Sequence, residues 1–197
     1  PQQQNTFTAG DIANRHTLIE WLLHLDGQIL LWIQELRTDW LTAFFTAVTH
    51  LGDAGALWIL AGVALLIPKK TRRDGIAVLA ALLVTFIVVN LILKPVIART
   101  RPYEVIEGLR LLVSPAHDYS FPSGHSSSSM AAAVAMAGAL PRRMRVIGWC
   151  AVVLAVLICI SRLYIGIHYP SDVLVGAAIG FLCGIAGAKI ASIIKMR

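Results

Sequence analysis

The chain has 197 residues, of which 57% are hydrophobic and only 14% are charged. Soluble domains usually carry about 25% charged residues, so the composition argues against a soluble protein, while the length indicates one domain. The formal net charge is +6, but the basic residues fall in short segments between apolar runs. They form no single stripe, which argues against a nucleic-acid partner.

The first 38 residues are predicted to precede the membrane bundle. A polar start is followed by residues 17–36, in which polar and apolar side chains separate onto opposite sides at helical spacing. This pattern predicts an amphipathic helix that lies in the membrane interface. A sixth membrane span is the alternative, and Asp26 near its middle argues against it. Residues 39–50 are expected to form a short helix that leads to Gly52.

Five apolar runs follow, and each is close to the roughly 20 residues that a helix needs to cross a bilayer. They are residues 54–67, 75–93, 124–140, 146–163 and 172–194. Gly176, Gly180 and Gly184 are spaced four residues apart in the last run, which predicts close packing against another helix. The predicted fold class is therefore all-α: a polytopic transmembrane helix bundle over residues 39–197, behind the N-terminal segment 1–38.

The loops between these runs alternate in character. Helices that cross the membrane in turn place the loops 94–122 and 164–171 on one side, and the basic segments 68–74 and 141–145 on the other. Lys and Arg are enriched in cytoplasmic loops, so the two basic segments are predicted to face the cytoplasm. The other two loops are then expected on the extracytoplasmic face.

Several ionisable residues are predicted to lie at membrane depth on the side of these two loops. Ionisable groups are costly there, so a functional site is the default hypothesis. A long cationic side chain at a helix end can instead extend to the membrane interface. That alternative explains any one cation alone, but it does not explain six ionisable residues at one level. His50 and Asp53 are open to the same assignment, but an ordinary turn at Leu51-Gly52 is the preferred interpretation. The six residues are Lys94, Arg101, His125, Arg162, His168 and Asp172.

The cations and one helix start are suited to binding a phosphate. Arginine offers bidentate hydrogen bonds to phosphate oxygens, and lysine offers a point charge. The segment Pro122-Ser123-Gly124-His125 is expected to begin a helix, whose free N–H groups and positive dipole end attract anions. Gly124 would let the backbone come close to the ligand.

The two histidines supply reactive groups for a phosphate ester. His168 and Asp172 are four residues apart, so Asp172 can accept a hydrogen bond from one ring nitrogen of His168. The other nitrogen would then be free to attack phosphorus. His125 would protonate the leaving oxygen as a general acid, while the cations stabilise charge on the equatorial oxygens.

These residues resemble the pattern of the type 2 phosphatidic acid phosphatase superfamily, which has the three parts K-x6-R-P, P-S-G-H and S-R-x5-H-x3-D. Here the parts run from Lys94 to Pro102, from Pro122 to His125 and from Ser161 to Asp172. The resemblance covers about residues 40–190. It implies a bundle of transmembrane helices, no metal cofactor and a phosphohistidine on His168, with His125 as the acid. It also implies that the phosphate is held by Lys94, Arg101, Ser123, Gly124 and Arg162.

Short bacterial members of this family are typically undecaprenyl-pyrophosphate or phospholipid phosphatases. The expectation is therefore a metal-independent lipid phosphatase in a bacterial inner membrane, with an extracytoplasmic site and undecaprenyl diphosphate as the first choice among lipid-linked substrates. Phosphatidylglycerol phosphate and phosphatidic acid stay open as substrates, and a lipid phosphotransferase would use the same motifs. An anion transporter is a third alternative. Two features argue against it: the cations lie near one face, and no inverted repeat is visible in the sequence.

Overall fold

The structure, a computed structural model, describes residues 9–140 and 144–194, with side chains from residue 20 onward. The polar start of the chain, most of the basic segment 141–145 and the last three residues lie outside this range. Within the described residues all regular structure is helical, which confirms the predicted all-α class.

We number the helices in chain order. A 3₁₀ turn, Asp53–Gly55, joins α2 to α3, and α4 continues through a π-helical segment, Phe86–Leu93, directly into α5. The helices of the described residues are α1 (Ala9–Glu35), α2 (Asp39–Leu51), α3 (Ala56–Leu66), α4 (Arg72–Thr85), α5 (Lys94–Ile97), α6 (Pro102–Val105), α7 (Gly124–Ala139), α8 (Arg145–Tyr164) and α9 (Pro170–Ile193).

Fewer helices qualify as membrane spans than the sequence predicts. Among the described residues, Arg72–Val105, Arg145–Tyr164 and Pro170–Ile193 are each long and apolar enough to cross a membrane. A fourth is added if α2 and the stretch Asp53–Leu66, which meet at a bend of 42°, form one broken span. The predicted five spans are therefore not confirmed. The α3 and α7 helices have 11 and 16 residues, fewer than the roughly 20 that a bilayer requires.

The α7 helix lies inside the bundle, where it packs against α4, α8 and α9. Its buried residues are three serines, four alanines and one methionine. A helix that is surrounded by other helices needs small side chains that permit close approach, rather than long apolar ones. The run 124–140 therefore has the composition of a central helix, and its hydrophobicity does not report contact with lipid.

Glycines of α9 allow this close packing. A Cβ atom at Gly176 would lie 2.7 Å from the Ser123 carbonyl oxygen, and a Cβ atom at Gly180 would lie closer still to the Ser127 carbonyl oxygen. Ser123 is the residue immediately before α7, and Ser127 lies in its first turn. Only glycine therefore permits α9 to approach the backbone of α7 this closely. The packing predicted from the glycine spacing is confirmed.

Polar contacts define the two ends of the bundle. At one end, Arg73 at the start of α4 donates hydrogen bonds to the carbonyls of Ala191 (3.0 Å) and Ser192 (2.7 Å) at the end of α9. At the other end, the Ser123 N–H donates to the carbonyl of Asp172 near the start of α9 (3.1 Å). We call this second end the site end. The continuous helical stretch from α4 through α5, residues 72–97, which we call the α4 run, finishes there, as does α8. The α7 and α9 helices begin there.

The α1 helix differs from its sequence-based description. It begins well before residue 17, and it is not among the helices that qualify as spans in the described part of the chain. Trp21, Leu22 and Leu23 point in successive directions around the helix, and all three are exposed. Asp26 and Leu30 are buried against the site end. The predicted separation into a polar and an apolar side is therefore not confirmed.

Replacing Gly180 by alanine should lower the thermal stability of the protein. The added methyl group would overlap the Ser127 carbonyl, so α7 and α9 must separate, and overpacking of this kind costs about 1–3 kcal/mol. Gly138→Ala is the matched control. A Cβ atom there meets nothing within 4 Å, and alanine favours a helix over glycine by about 1 kcal/mol. In one detergent, we expect a lower Tm for Gly180→Ala only; equal Tm values would contradict the packing argument.

Candidate active site

Three cationic side chains are buried together at the site end. Lys94 follows the π-helical segment, Arg101 precedes α6, and Arg162 lies in the last turn of α8. All three are buried, and they lie close enough for their charges to repel one another. Buried like charges are unfavourable unless an anion accompanies them. The cluster is therefore built to hold negative charge.

Arg162 keeps a hydrogen-bond donor available in this cluster. Its Nη1 donates to Thr49 Oγ1 at 2.6 Å, which ties α8 to α2. Its Nε atom is buried and has no hydrogen-bond partner among the described residues. Buried donors in proteins almost always have a partner, so this N–H is suited to an oxygen of a bound anion.

Asp118 binds the other two cations. One carboxylate oxygen accepts from Lys94 Nζ, and the other accepts from Arg101 Nη2 at 2.5 Å. Burial acts to raise the pKa of the Asp118 carboxyl, but the hydrogen bond and charge of Lys94, together with Arg101, outweigh this and lower the pKa to about 2. The sequence analysis missed this residue. It lies in an irregular loop, where no periodic spacing relates it to the cations.

The predicted pair of His168 and Asp172 is present. His168 Nδ1 lies 3.4 Å from Asp172 Oδ2, and His168 Nε2 lies 3.4 Å from Arg101 Nη1. The carboxylate assigns the ring proton to Nδ1, so the Nε2 lone pair faces the cations. Burial lowers the pKa of His168 to about 3, although the hydrogen bond to Asp172 acts in the opposite direction. The ring is therefore a neutral nucleophile near pH 7.

A second group of residues holds Asp172 in place. Its Oδ2 accepts from Ser120 Oγ (2.5 Å) and the Tyr169 N–H (3.0 Å), and its Oδ1 accepts from Arg99 Nη1 (2.6 Å). Arg99 also donates to Asp26 of α1 at 2.8 Å. Asp26, which the sequence analysis used against a membrane span, is thus ion-paired behind the site. A carboxylate within an apolar helix is costly unless it has a partner, and this cost could have indicated from the sequence that Asp26 belongs to the site.

His125 occupies the first turn of α7, as predicted. Its Nε2 lies 2.9 Å from Asp53 Oδ1, and the second oxygen of Asp53 lies 2.8 Å from His50 Nδ1. The turn is present as the 3₁₀ segment Asp53–Gly55, but Asp53 also contacts a predicted site residue, which favours the alternative that it faces the site. Ala54 has a φ of 50°, which is a strained conformation for a residue with a Cβ atom, and such strain is concentrated at functional sites.

Ser123 and Gly124 take different places at the start of α7. Ser123 is the N-cap: its hydroxyl oxygen accepts from the Ser126 N–H (3.4 Å) and from Ser126 Oγ (2.9 Å). A Cβ atom added at Gly124 would lie 3.8 Å from Lys94 Nζ, so the Gly124 backbone lies beside that cation. The predicted helix start beside the cationic cluster is present.

A cavity of about 670 Å³ begins at the site and continues between α3 and α4. Its polar end contains Lys94, Asp118, Gly124 and His125. Its walls then continue between α3 and the α4 run with apolar side chains, namely Ile59, Leu79, Leu82, Leu83 and Phe86. The cavity therefore fits a molecule with an anionic head and an apolar chain.

The described residues include no group of three His, Cys, Asp or Glu side chains arranged to hold a metal ion. The carboxylates at the site instead bind arginine, lysine or histidine: Asp118 binds Lys94 and Arg101, Asp172 binds Arg99, and Asp53 binds His125. Lys94, Arg101 and Arg162 place positive charge at this site.

Comparison with known proteins agrees with these observations. The sequence profile of the PAP2 superfamily matches residues 74–193. An undecaprenyl-diphosphatase of Sulfolobus acidocaldarius is 34% identical over 69% of this chain and 64% of its own length, so the match spans slightly less than two thirds of that relative. Phosphatidylglycerophosphatase B of Bacillus subtilis is 32% identical over 75% of this chain and 73% of its own length.

A solved structure has the same overall fold. It is the crystal structure of a transmembrane PAP2-type phosphatidylglycerolphosphate phosphatase from Bacillus subtilis, which superimposes with a TM-score of 0.72 and 30% sequence identity. The superposition covers 88% of each chain. The family match over residues 74–193 includes the three buried cations and both histidines.

Proposed function

This chain belongs to the PAP2 superfamily, and we propose that it is a membrane-embedded phosphatase that acts on a lipid phosphate or diphosphate. The observation that carries this proposal is the cluster of three buried cations at the site end, one of which, Arg101, lies 3.4 Å from Nε2 of His168. A nucleophile beside buried cations is suited to an anionic electrophile, because the cations stabilise the charge that grows on it during attack.

The cavity supports a lipid as the substrate. A phosphate at its polar end would contact Lys94 and the start of α7, while an attached chain would lie among the apolar side chains between α3 and α4. The lipid would keep its chain in an apolar environment throughout the reaction. The lipid tail would then contribute binding free energy of about 25 cal/mol for each Å² of apolar surface buried.

The first chemical step that we propose transfers a phosphoryl group to His168. Nε2 attacks phosphorus and forms a P–N bond, while the bond from phosphorus to the leaving oxygen breaks and its electron pair stays on that oxygen. His125 gives the leaving oxygen a proton. Asp172 holds the proton on Nδ1 and stabilises the positive charge on the phosphorylated ring.

The second step releases inorganic phosphate. Water attacks phosphorus, the P–N bond breaks, and its electron pair returns to His168 Nε2. The neutral ring of His125 accepts the proton that the water loses. Asp53 acts as a positioning residue in both steps, since its contact with Nε2 of His125 leaves Nδ1 to carry the transferred proton.

Metal independence is part of the proposal. Three buried cations and the start of α7 supply positive charge at the phosphate, which is the charge that Mg²⁺ supplies in many other phosphoryl-transfer enzymes. The carboxylates near the site are engaged by cationic side chains.

Undecaprenyl diphosphate is the first choice of substrate. The name of the Sulfolobus relative supports a polyprenyl diphosphate, whereas the names of phosphatidylglycerophosphatase B and of the superimposed crystal structure support phosphatidylglycerol phosphate. Phosphatidic acid is a further candidate. A phosphotransferase that passes the phosphoryl group from His168 to a second lipid is the alternative reaction at the same site, and release of phosphate without an acceptor lipid would argue against it.

The proposed location is a bacterial inner membrane, with the site on the extracytoplasmic face. Support comes from the basic segment 68–74, which lies at the opposite end of the bundle from the site, where Arg73 contacts the end of α9. Basic loops are retained in the cytoplasm. On this side of the membrane the enzyme would meet the lipid diphosphate that cell-wall glycan polymerisation releases.

His168 and His125 should have separable roles. His168→Ala should abolish the covalent intermediate and leave almost no turnover. His125→Ala should reduce kcat by about 10²–10⁴-fold, the range for a lost general acid, and Asp53→Asn should reduce it in the same direction. A substrate with a better leaving group should partly restore His125→Ala and Asp53→Asn but not His168→Ala. His24→Ala, on exposed α1 surface, is the control; equal restoration of both histidine variants would contradict the assignment.

The preferred substrate should be undecaprenyl diphosphate, hydrolysed at the same rate with and without EDTA. We expect its kcat/KM to exceed those of phosphatidylglycerol phosphate and phosphatidic acid by at least about tenfold in one detergent, which corresponds to about 1.4 kcal/mol. A preference for either glycerolipid would overturn the isoprenoid assignment. Activity confined to water-soluble esters would overturn the lipid assignment, and loss of activity in EDTA with recovery in Mg²⁺ would overturn metal independence.

Topology can be tested with single cysteines at two exposed positions. The variants are Glu107→Cys, in the loop at the site end, and Lys70→Cys, in the basic segment, each in a background that lacks the three native cysteines. An impermeant thiol reagent should label residue 107 but not residue 70 in intact cells. The opposite pattern would place the site in the cytoplasm.

A further inference from the structure

Asp118 lies where the substrate phosphate is proposed to bind. Its two carboxylate oxygens take one cation each: Lys94 binds Oδ2, and Arg101 binds Oδ1. Two oxygens of a phosphate would use the same two donors. The carboxylate and a phosphate therefore compete for Lys94 and Arg101, and both cannot be bound at once.

We propose that Asp118 is an internal competitor for phosphate, which occupies Lys94 and Arg101 in the free enzyme and withdraws when a lipid phosphate binds. This inference rests on the proposed function, because it takes the three cations to be the phosphate site. Its consequence is selectivity: the competing carboxylate weakens the binding of every phosphate, and only a substrate with an apolar chain recovers the lost affinity in the cavity.

The surroundings of Asp118 allow this movement. Its side chain is 54% exposed, whereas those of Lys94 and Arg101 are 9% and 3% exposed. The residue lies in the irregular loop between α6 and α7, and its carboxylate lines the cavity. Arg101 Nε also donates to the Asp118 backbone carbonyl at 2.9 Å. Rotation of the side chain alone can therefore free both cations while the backbone contact stays in place.

A bound phosphate can displace the carboxylate because it gains more contacts. A phosphate monoester carries up to two negative charges and three free oxygens, whereas the carboxylate carries one charge and two oxygens. The third oxygen can accept from Arg162 Nε, which is buried and has no partner among the residues that the structure describes. The carboxylate, whose pKa is held at about 2, stays ionised near neutral pH and returns to the cations once phosphate leaves.

The same competition acts on the product. Inorganic phosphate has no apolar chain, so it gains nothing from the cavity between α3 and α4. The returning carboxylate would therefore favour its release. If Asp118 occupies the cations 90–99% of the time, the apparent affinity for inorganic phosphate is reduced by about 10–100-fold, because only the remaining fraction can bind it.

The test is inhibition by inorganic phosphate in Asp118→Asn, measured against hydrolysis of a lipid diphosphate. Asparagine has the shape of aspartate but no charge, so the phosphate Ki should fall by at least about tenfold. The kcat/KM ratio between the lipid diphosphate and p-nitrophenyl phosphate should fall as well. Glu107→Gln is the matched control, because it removes one negative charge from an exposed position of the same loop. It should leave the phosphate Ki near the wild-type value.

The sign of the change separates this role from a structural one. If Asp118 served only to align the cations, its replacement would raise the phosphate Ki. Asp118→Ser serves as a second variant, and the phosphate-induced rise in Tm confirms binding to a folded protein. An unchanged or higher Ki in both variants, with lipid hydrolysis intact in the wild type, would overturn this inference alone. A wild-type protein that neither hydrolyses lipid phosphates nor is inhibited by phosphate would overturn the proposed function.

Discussion

Charge balance around buried cations organises the site end of this protein. Lys94 and Arg101 share the carboxylate of Asp118, and Arg99 bridges Asp26 and Asp172. A buried charge without a partner costs several kcal/mol in a low-dielectric environment. Each cation is therefore placed where a carboxylate, a hydroxyl or an incoming phosphate can meet it. The catalytic geometry follows, because Arg101 and Asp172 approach opposite nitrogens of the His168 ring.

Close helix packing is the condition for this charge balance. The functional residues come from the ends of different helices, and they converge only because α7 and α9 approach to glycine distance. The Ser123 N–H donates a hydrogen bond to the Asp172 carbonyl, which joins the start of the proposed anion site to the residue whose carboxylate lies behind His168. The small residues inside the bundle thus permit the helix packing that brings the reactive groups together at its end.

The α1 and α2 helices extend the site beyond the residues of the three motifs. Asp26 in α1 contacts Arg99 and Ser171, and Thr49 in α2 contacts Arg162. Asp53, at the turn after α2, contacts His125. The N-terminal part of the chain therefore orients the groups that are proposed to react, rather than serving only as a membrane attachment.

The sequence by itself determined the helical class, the placement of the motifs at helix ends and the pairing of His168 with Asp172, because these follow from composition and from spacing within one segment. The number of spans did not follow, since hydrophobicity cannot tell a central helix such as α7 from one that faces lipid. Only the tertiary structure assigned Asp118, Asp53 and Asp26 to their partners. Asp53 meets His125 across 72 positions and Asp26 meets Ser171 across 145, and contacts between such distant segments depend on how the helices pack.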